Sequence, residues 1–246
     1  KYRDFYEEYL KPRAGAGLLD LLIMGLLPQI EGIYRTDLDT ENLWQQFRQA
    51  EHYRKLGDVD GVLLTHAHLD HSGHIAFLRE DIPVYATATT AFIAKAVQDS
   101  GIASFDQQVC YFTPRVEECL QGWRQGAYVA SSSGDRQRSF CVADKLELSE
   151  EAENFWGKAP RQKKFDSRLL GDISECRFNL RCFPVDHSIP GACSWGIETS
   201  SGWVIYSGDL RLHGRHGNLT ESMIREAASL HPRALIMEGT NVDKAE

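Results

Sequence analysis

A nine-residue string at the end of an apolar run constrains this chain more than anything else in it. Asp60 to Thr65 (D-G-V-L-L-T) is short and apolar, the pattern of a buried strand. It leads directly into His66-Ala67-His68-Leu69-Asp70-His71-Ser72-Gly73-His74. On an extended segment alternate side chains share a face, so His66 and His68 point the same way and can reach one cation. Asp70 and His71 follow at the turn and can reach a second. Imidazole nitrogen and carboxylate oxygen are ligand types that divalent zinc prefers. A lone histidine is commonly a core or surface residue. Four such groups in six residues after a strand instead form a template for two metals held about 3.5–4 Å apart. His74, further along, reads as structural or as support for a ligand.

The rest of the chain supplies an α/β frame for this loop. An amphipathic helix is predicted over Thr40 to Leu56, where Leu43, Trp44, Phe47 and Ala50 recur at helical spacing and Gly57 is a stop. A helix from Gly73 to Leu78, a strand from Ile82 to Ala86 and a helix from Thr89 to Gln98 follow the histidines. Phe5, Tyr9 and Leu10 suggest a helix within Lys1 to Arg13, before the glycine break at Gly15 and Gly17. Periodicity weakens from Ser100 to Ser167, with loops marked by Pro114, Gly122, Gly126 and Ser131 to Asp135. Hairpins are expected at Gln108 to Phe112 and Ser139 to Ala143. Lys158, Arg161, Lys163, Lys164 and Arg168 form a basic cluster, read either as a solvated loop or as a phosphate-contacting surface. Strands return at Arg181 to Val185, Cys193 to Thr199 and Trp203 to Ser207, the last two joined in a tight hairpin. A helix from Thr220 to Ser229, with Thr220 as its N-cap, and a strand from Ala234 to Met237 close the order.

Composition narrows the class. With 42% hydrophobic residues the chain can bury a core. Its net charge of −8 argues against a protein that coats DNA non-specifically. The six cysteines, Cys110, Cys119, Cys141, Cys176, Cys182 and Cys193, contain no C-x-x-C pair and read as reduced thiols in a cytoplasmic protein. The longest apolar stretch, Gly17 to Ile30, contains Asp20 and falls short of the ~18 residues that a membrane span needs.

Polar groups suited to metals recur at other strand ends, where α/β proteins build their sites. His187 follows a strand and precedes Ser188-Ile189-Pro190-Gly191, a turn that would hold its ring. Asp209 follows Ser207-Gly208, where the glycine permits close backbone approach and the carboxylate has two oxygens to bridge two cations.

Thr65-His66-Ala67-His68-Leu69-Asp70-His71 resembles the signature of the metallo-β-lactamase superfamily, with His187 and Asp209 matching its later ligand motifs in order and context. Asp186 to Gly191, Tyr206 to Asp209 and Met237-Glu238-Gly239-Thr240 are similar to the β-CASP nuclease branch, the group of ribonuclease J and the mRNA 3′-end cleavage factor. The similarity runs from about Val59 to Val242 and is weakest over Ser100 to Ser174. It implies an α/β fold, the αβ/βα sandwich of that superfamily, with mixed sheets flanked by helices. Residues 1–246 would form one partial domain, incomplete at both ends. Strands would precede it, and a β-CASP domain and a last ligand histidine would follow Glu238. His213, His216 and His231 lack the context to replace that histidine.

The resemblance also implies a role for each residue. His66, His68 and His187 would hold one metal, Asp70 and His71 the other, and Asp209 would bridge them. The cofactor would be two zinc ions, with manganese or another divalent metal as the alternative. Water between the cations would ionise near pH ~7 and attack a scissile phosphate, with Asp70, His68 and Asp209 as the catalytic set. Glu238 would hydrogen-bond a ligand histidine, and Arg211 and Arg215 would contact substrate. Two divalent cations, less the charges of Asp70, Asp209 and one hydroxide, would leave the site at about +1 despite the acidic chain, which suits an anionic substrate. The implied function is a metal-dependent ribonuclease of RNA processing acting on phosphodiester bonds, with exonuclease activity among its modes. One alternative is a hydrolase of thioesters, lactones or β-lactams on the same fold; another is an inactive scaffold subunit. RNA or another anionic substrate is the expected partner, with no membrane association. A homodimer is compatible with this.

Overall fold

Short apolar segments separated by turns pair into sheets more readily than they form surface helices, and two four-stranded sheets carry the histidine loop. The computed structural model describes residues 13–101, 105–118, 127–144, 148–160 and 164–239. The helix expected in residues 1–13 lies outside them apart from Arg13, as do Cys119, Gly122, Gly126, Arg161, Lys163 and Thr240.

The described elements, in chain order, begin with α1 (Leu19–Ile23), β1 (Ile30–Glu31), β2 (Arg54–Lys55), β3 (Val62–Leu63), α2 (Leu69–Ser72), β4 (Val84–Ala86) and α3 (Ala88–Ser100). Next come β5 (Tyr111–Phe112), β6 (Arg115–Glu118), β7 (Ala127–Ala130), β8 (Asp135–Gln137), β9 (Phe140–Val142), α4 (Glu150–Trp156), β10 (Phe165–Asp166) and β11 (Gly171–Asp172). The last are β12 (Leu180–Pro184), β13 (Cys193–Thr199), β14 (Gly202–Tyr206), α5 (Gly217–Ser229) and β15 (Ala234–Ile236).

The first sheet has strand order β11-β9-β4-β3, with every neighbour parallel. Strands β4 and β9 are buried throughout, as parallel strands covered on both faces must be. Val84, Ala86, Phe140 and Val142 pack against Ala91 and Ala94 of α3 and against Trp156. Tyr85 and Cys141 face the other way, onto Cys193 and Trp195 of the second sheet. That sheet has order β12-β13-β14-β15, antiparallel except for the parallel β14–β15 pair. Its outer face, with Phe183 and Ile205, packs on Met223 and Ala227 of α5. The layers are therefore helix, sheet, sheet, helix: the expected αβ/βα sandwich.

Trp195 fixes the joint between the sheets. It is fully buried, and its indole Nε1 donates to the Leu64 carbonyl at 3.2 Å. Two residues earlier the Cys193 amide donates to the Thr65 carbonyl at 2.9 Å. These bonds fasten β13 to the chain just before His66. The short 3₁₀ helix Gly73–Phe77 is anchored from below by two buried arginines. Arg138 Nη1 and Nη2 donate to the carbonyls of Leu78 and Ala76 at 2.8 and 2.9 Å, and Arg35 reaches the Ala76 carbonyl too. Both guanidinium groups lie over the Phe112 ring, at 3.9 Å for Arg35 and 4.7 Å for Arg138. Burial, with Arg35 adding to it, lowers the Arg138 pKa to about 9.

Several expected elements take another form. Thr40 to Leu56 is not one helix: it holds a 3₁₀ turn, Leu43–Gln46, and then β2. Asn42 adopts φ 61°, and the Trp44 indole donates to Asp39 at 3.0 Å and stacks on Tyr34, which ends the helical path after one turn. Downstream, Arg54 and Lys55 pair in parallel with Ile30 and Glu31, and Glu31 accepts from Tyr53 and Lys55. Ser139 to Ala143 is a parallel strand rather than half of a hairpin, since β4 supplies its partner. Helix α5 starts at Gly217, so Thr220 is inside it and does not cap it. Cys110, Cys141, Cys176, Cys182 and Cys193 are free thiols. Among the described residues, no helix is long and apolar enough to cross a membrane.

Replacing Trp195 separates its two contributions. Trp195→Ala should cost about 3–5 kcal/mol through the cavity it leaves. Trp195→Phe keeps most of the packing but strands the Leu64 carbonyl and should cost about 1–3 kcal/mol. Urea unfolding of both variants measures the difference, and a Trp195→Phe variant as stable as the wild type would contradict the role of the indole bond.

Candidate metal centre

Four strands of the two sheets deliver the polar groups to one place. His66 leaves β3, the loop after β12 carries His187, Asp209 follows β14, and Glu238 follows β15. His68 is extended (φ −61°, ψ 143°) at the N-terminal end of α2, and its carbonyl accepts from the Ser72 hydroxyl and the His71 amide. That single helical turn swings Asp70 and His71 round beside His66. Further along, the Gly191 carbonyl accepts the hydroxyls of Thr87 and Thr90 at 2.7 and 2.9 Å, tying the His187 loop to the start of α3.

His66 is the hub. Its ring centroid lies 4.7 Å from that of His68, 4.2 Å from His71 and 4.6 Å from His187. It is fully buried, with Nδ1 3.0 Å from the Thr65 hydroxyl. If that hydroxyl accepts the Nδ1 proton, the Nε2 lone pair faces the cluster. Nε2 is buried and has no hydrogen-bond partner. Burial, reinforced by His71, His187 and His68 and opposed by Asp70, lowers the His66 pKa to about 4. Burial also lowers that of His187, against the pull of Asp209. Neutral imidazoles with free lone pairs are the state a metal requires.

Donor spacing fits a cation. His66, His68 and His187 form one group whose donor atoms all lie within 4.8 Å of one another; His66, His71 and Asp209 form a second. His187 Nε2 is 3.3 Å from His68 Nδ1, His71 Nε2 is 3.4 Å from Asp209 Oδ2, and His187 Nε2 is 3.7 Å from the same oxygen. Two nitrogens bound to one tetrahedral zinc at 2.0–2.1 Å sit about 3.3 Å apart. An orphaned buried nitrogen, in groups whose other donors are spaced in this way, fits a divalent metal.

His68, His71, His187 and Asp209 are thus brought together around His66, which is common to both groups. Asp70 stands at the rim, its side chain 80% exposed and its Oδ2 3.5 Å from His71 Nε2. Glu238 Oε1 accepts from the Leu210 amide at 3.2 Å, fastening the residue after Asp209. Arg211 turns inward to Asp186, while Arg215 is exposed on the loop beyond. His74 is exposed, with its ring 6.3 Å from Phe77. His213, His216 and His231 are exposed and belong to neither donor group. Thr65 was not a candidate from sequence, although its place directly before His66 was a usable signal. It also packs against Gly208, at φ +57°, where an added Cβ would come within 2.6 Å of Thr65 Cγ2. The glycine therefore lets the ends of β3 and β14 meet.

Comparison with known proteins agrees with this geometry. Residues 37–122 match the family described as "Beta-lactamase superfamily domain", which bears out the resemblance carried by the histidine string. Ribonuclease TTHA0252 of Thermus thermophilus is 38% identical over 86 residues, 32% of this chain and 20% of that protein. Ribonuclease J of Mycolicibacterium smegmatis is 24% identical over 161 residues, 64% of this chain and 19% of that protein. Both similarities support the β-CASP nuclease branch. The chain spans about one fifth of the length of these curated relatives. A crystal structure of a protein of unknown function from Enterococcus faecalis V583 shares the fold, with TM-score 0.53 and 22% identity, covering 94% of this chain and 41% of that one. Together these findings support a hydrolase.

The His66 environment sets a pH dependence in the metal-free chain. An unfolded histidine titrates near 6.5, whereas folded His66 does so at about 4. Between those values the unfolded chain binds more protons, so stability present above pH ~6.5 is lost as pH falls toward ~4. Thermal melts in chelator should follow this loss, and His66→Asn should make it shallower. An unchanged slope in the variant would remove His66 as its source.

Proposed function

We propose that this chain is the metal-binding part of a zinc-dependent ribonuclease that hydrolyses RNA phosphodiester bonds. The observation that carries the reading is the buried, partnerless Nε2 of His66 within a ring of histidine and aspartate donors. The ribonucleases among its relatives direct that reading toward RNA rather than a small ester or lactam. On the same reading the whole protein belongs to the β-CASP branch and acts in RNA processing.

His66, His68 and His187 would hold one cation, with His71, Asp209 and Asp70 around the second. A divalent metal there supplies Lewis acidity and a nucleophile from water near neutral pH. The chain's own groups do the rest. His66, its pKa lowered by burial, would donate its Nδ1–H to the Thr65 hydroxyl and offer its Nε2 lone pair. Asp209 stands within reach of both His71 and His187, so one carboxylate serves both halves of the cluster. Asp70, exposed at the rim, accepts a hydrogen bond from attacking water and orients it. Arg215 lies on the loop after Asp209 and is exposed, as a group that meets phosphate must be. The acidic chain is no obstacle, because cations dominate the field at the site.

Incubation of the whole protein with 5′-labelled RNA should give chelator-sensitive cleavage, while a thioester and nitrocefin stay intact. Losing a ligand to a catalytic metal removes several kcal/mol of transition-state stabilisation, about 10³-fold in rate. His68→Ala and Asp209→Ala should each show that loss with unchanged circular dichroism. Cleavage retained in either variant, or thioester turnover in place of RNA cleavage, would sink the proposal.

A further inference from the structure

We propose that Asp186 is a positioning residue that sets the placement of His187 relative to Asp209, acting through Arg211. The inference rests on reading the histidine cluster as a metal centre. His187 and Asp209 arrive on separate loops, after β12 and after β14, two strands that β13 holds apart in the sheet. Asp186 links the two loops. Its carbonyl accepts from the Arg211 amide at 2.9 Å, and its Oδ1 accepts from Arg211 Nη2 at 3.1 Å. The residue directly before one ligand is thereby bonded, by main chain and side chain, to the residue two beyond the other.

The link is braced by α5 and its lead-in. Asp186 Oδ2 accepts from the His216 amide at 3.1 Å. The Asp186 amide donates to the Thr220 hydroxyl at 2.9 Å, and that hydroxyl donates to the Arg211 carbonyl at 2.9 Å. Inside the helix, the Thr220 hydroxyl thus bridges the two loops. Gly214 completes the fit, since a Cβ there would collide with the Asp186 carboxylate and the Arg211 guanidinium. Asp186 is 3% exposed. A carboxylate so buried is costly unless it is paired and hydrogen-bonded, and here both oxygens are engaged. Packing alone would be met by an apolar residue. An ion pair fixes direction and distance as well, and groups that orient metal ligands in this way typically change metal affinity about 10–100-fold when removed. From the other side Glu238 holds the Leu210 amide, so the segment after Asp209 is clamped at consecutive residues.

Cobalt(II) titration of the full chain, read by its visible absorption, tests the idea alongside chelator-treated thermal melts. Asp186→Asn keeps one acceptor oxygen but cannot serve both the guanidinium and the His216 amide. It should fold, weaken cobalt binding about 10–100-fold and change the band shape of the bound ion. Arg211→Ala should do the same, and Arg211→Lys should restore part of the affinity. A purely structural role would lower the melting temperature while leaving the cobalt affinity and spectrum of the folded protein at wild-type values, and that result overturns the proposal. Should Asp186→Asn fail to fold, the Arg211→Ala and Arg211→Lys pair decides by the same spectrum. A wild-type chain that takes up no cobalt overturns the metal reading, and this inference with it.

Discussion

Everything at the site hangs on the joint between the two sheets. The indole of Trp195 and the amide of Cys193 donate to the last two carbonyls before His66, so β13 holds the exit of β3 in place. Strand β13 in turn is paired with β12 and β14, whose following loops carry His187 and Asp209. A displacement of the first sheet against the second would separate His66 from both. The packing there is buried and partly aromatic, with Trp195, Tyr85, Cys141 and Cys193 filling the space between the layers. Interiors packed at that density transmit displacement instead of absorbing it. The precision a metal centre demands is therefore inherited from the hydrophobic core.

The cluster built on this joint is poorly suited to a metal-free existence. Imidazoles packed around a buried ring disfavour one another's protonation, and the His66 Nε2 has lost water without gaining a protein partner. Such arrangements cost stability, and buried groups left unpaired are concentrated at functional sites. The surroundings show where that cost is met. Thr65 lies against His66, Gly191 is held by two threonine hydroxyls, and Arg35 and Arg138 anchor the Ala76 carbonyl in the 3₁₀ helix that follows the turn carrying Asp70 and His71.

Charge illustrates the difference between a chain and its site. The net −8 belongs to a surface that includes the acidic face of α4. At the donor cluster four imidazoles, those of His66, His68, His71 and His187, stand with the carboxylates of Asp70 and Asp209. Bound cations would dominate locally, within a distance over which salt does not screen them. The sign of the whole chain thus says little about the sign of what the site binds.

Much was legible from residues alone wherever the signal is local. An apolar run ending in H-x-H-x-D-H determines a strand, a loop and a donor set. His187 before its proline-glycine turn and Asp209 after Ser-Gly were likewise readable, because strand-to-turn transitions announce themselves over a few residues. The sandwich followed from the order of strands and helices together with the resemblance those motifs carry. What failed, or could not be read, depends on partners distant in sequence. The helical spacing over Thr40 to Leu56 yields to a tryptophan bonded to Asp39 and to strand pairing with residues 30 and 31. The strand over Ser139 to Ala143 takes its partner from residues 84 to 86. Asp186 and Arg211 are 25 positions apart, and neither carries a pattern that names the other. The sequence by itself determined which chemical groups are present and the local turns that expose them. Tertiary structure alone decided that His66 stands at the centre of both donor groups and that an ion pair joins the loops of His187 and Asp209. The reason is physical: ligand type is a property of single side chains, whereas distance between ligands is a property of how two sheets pack.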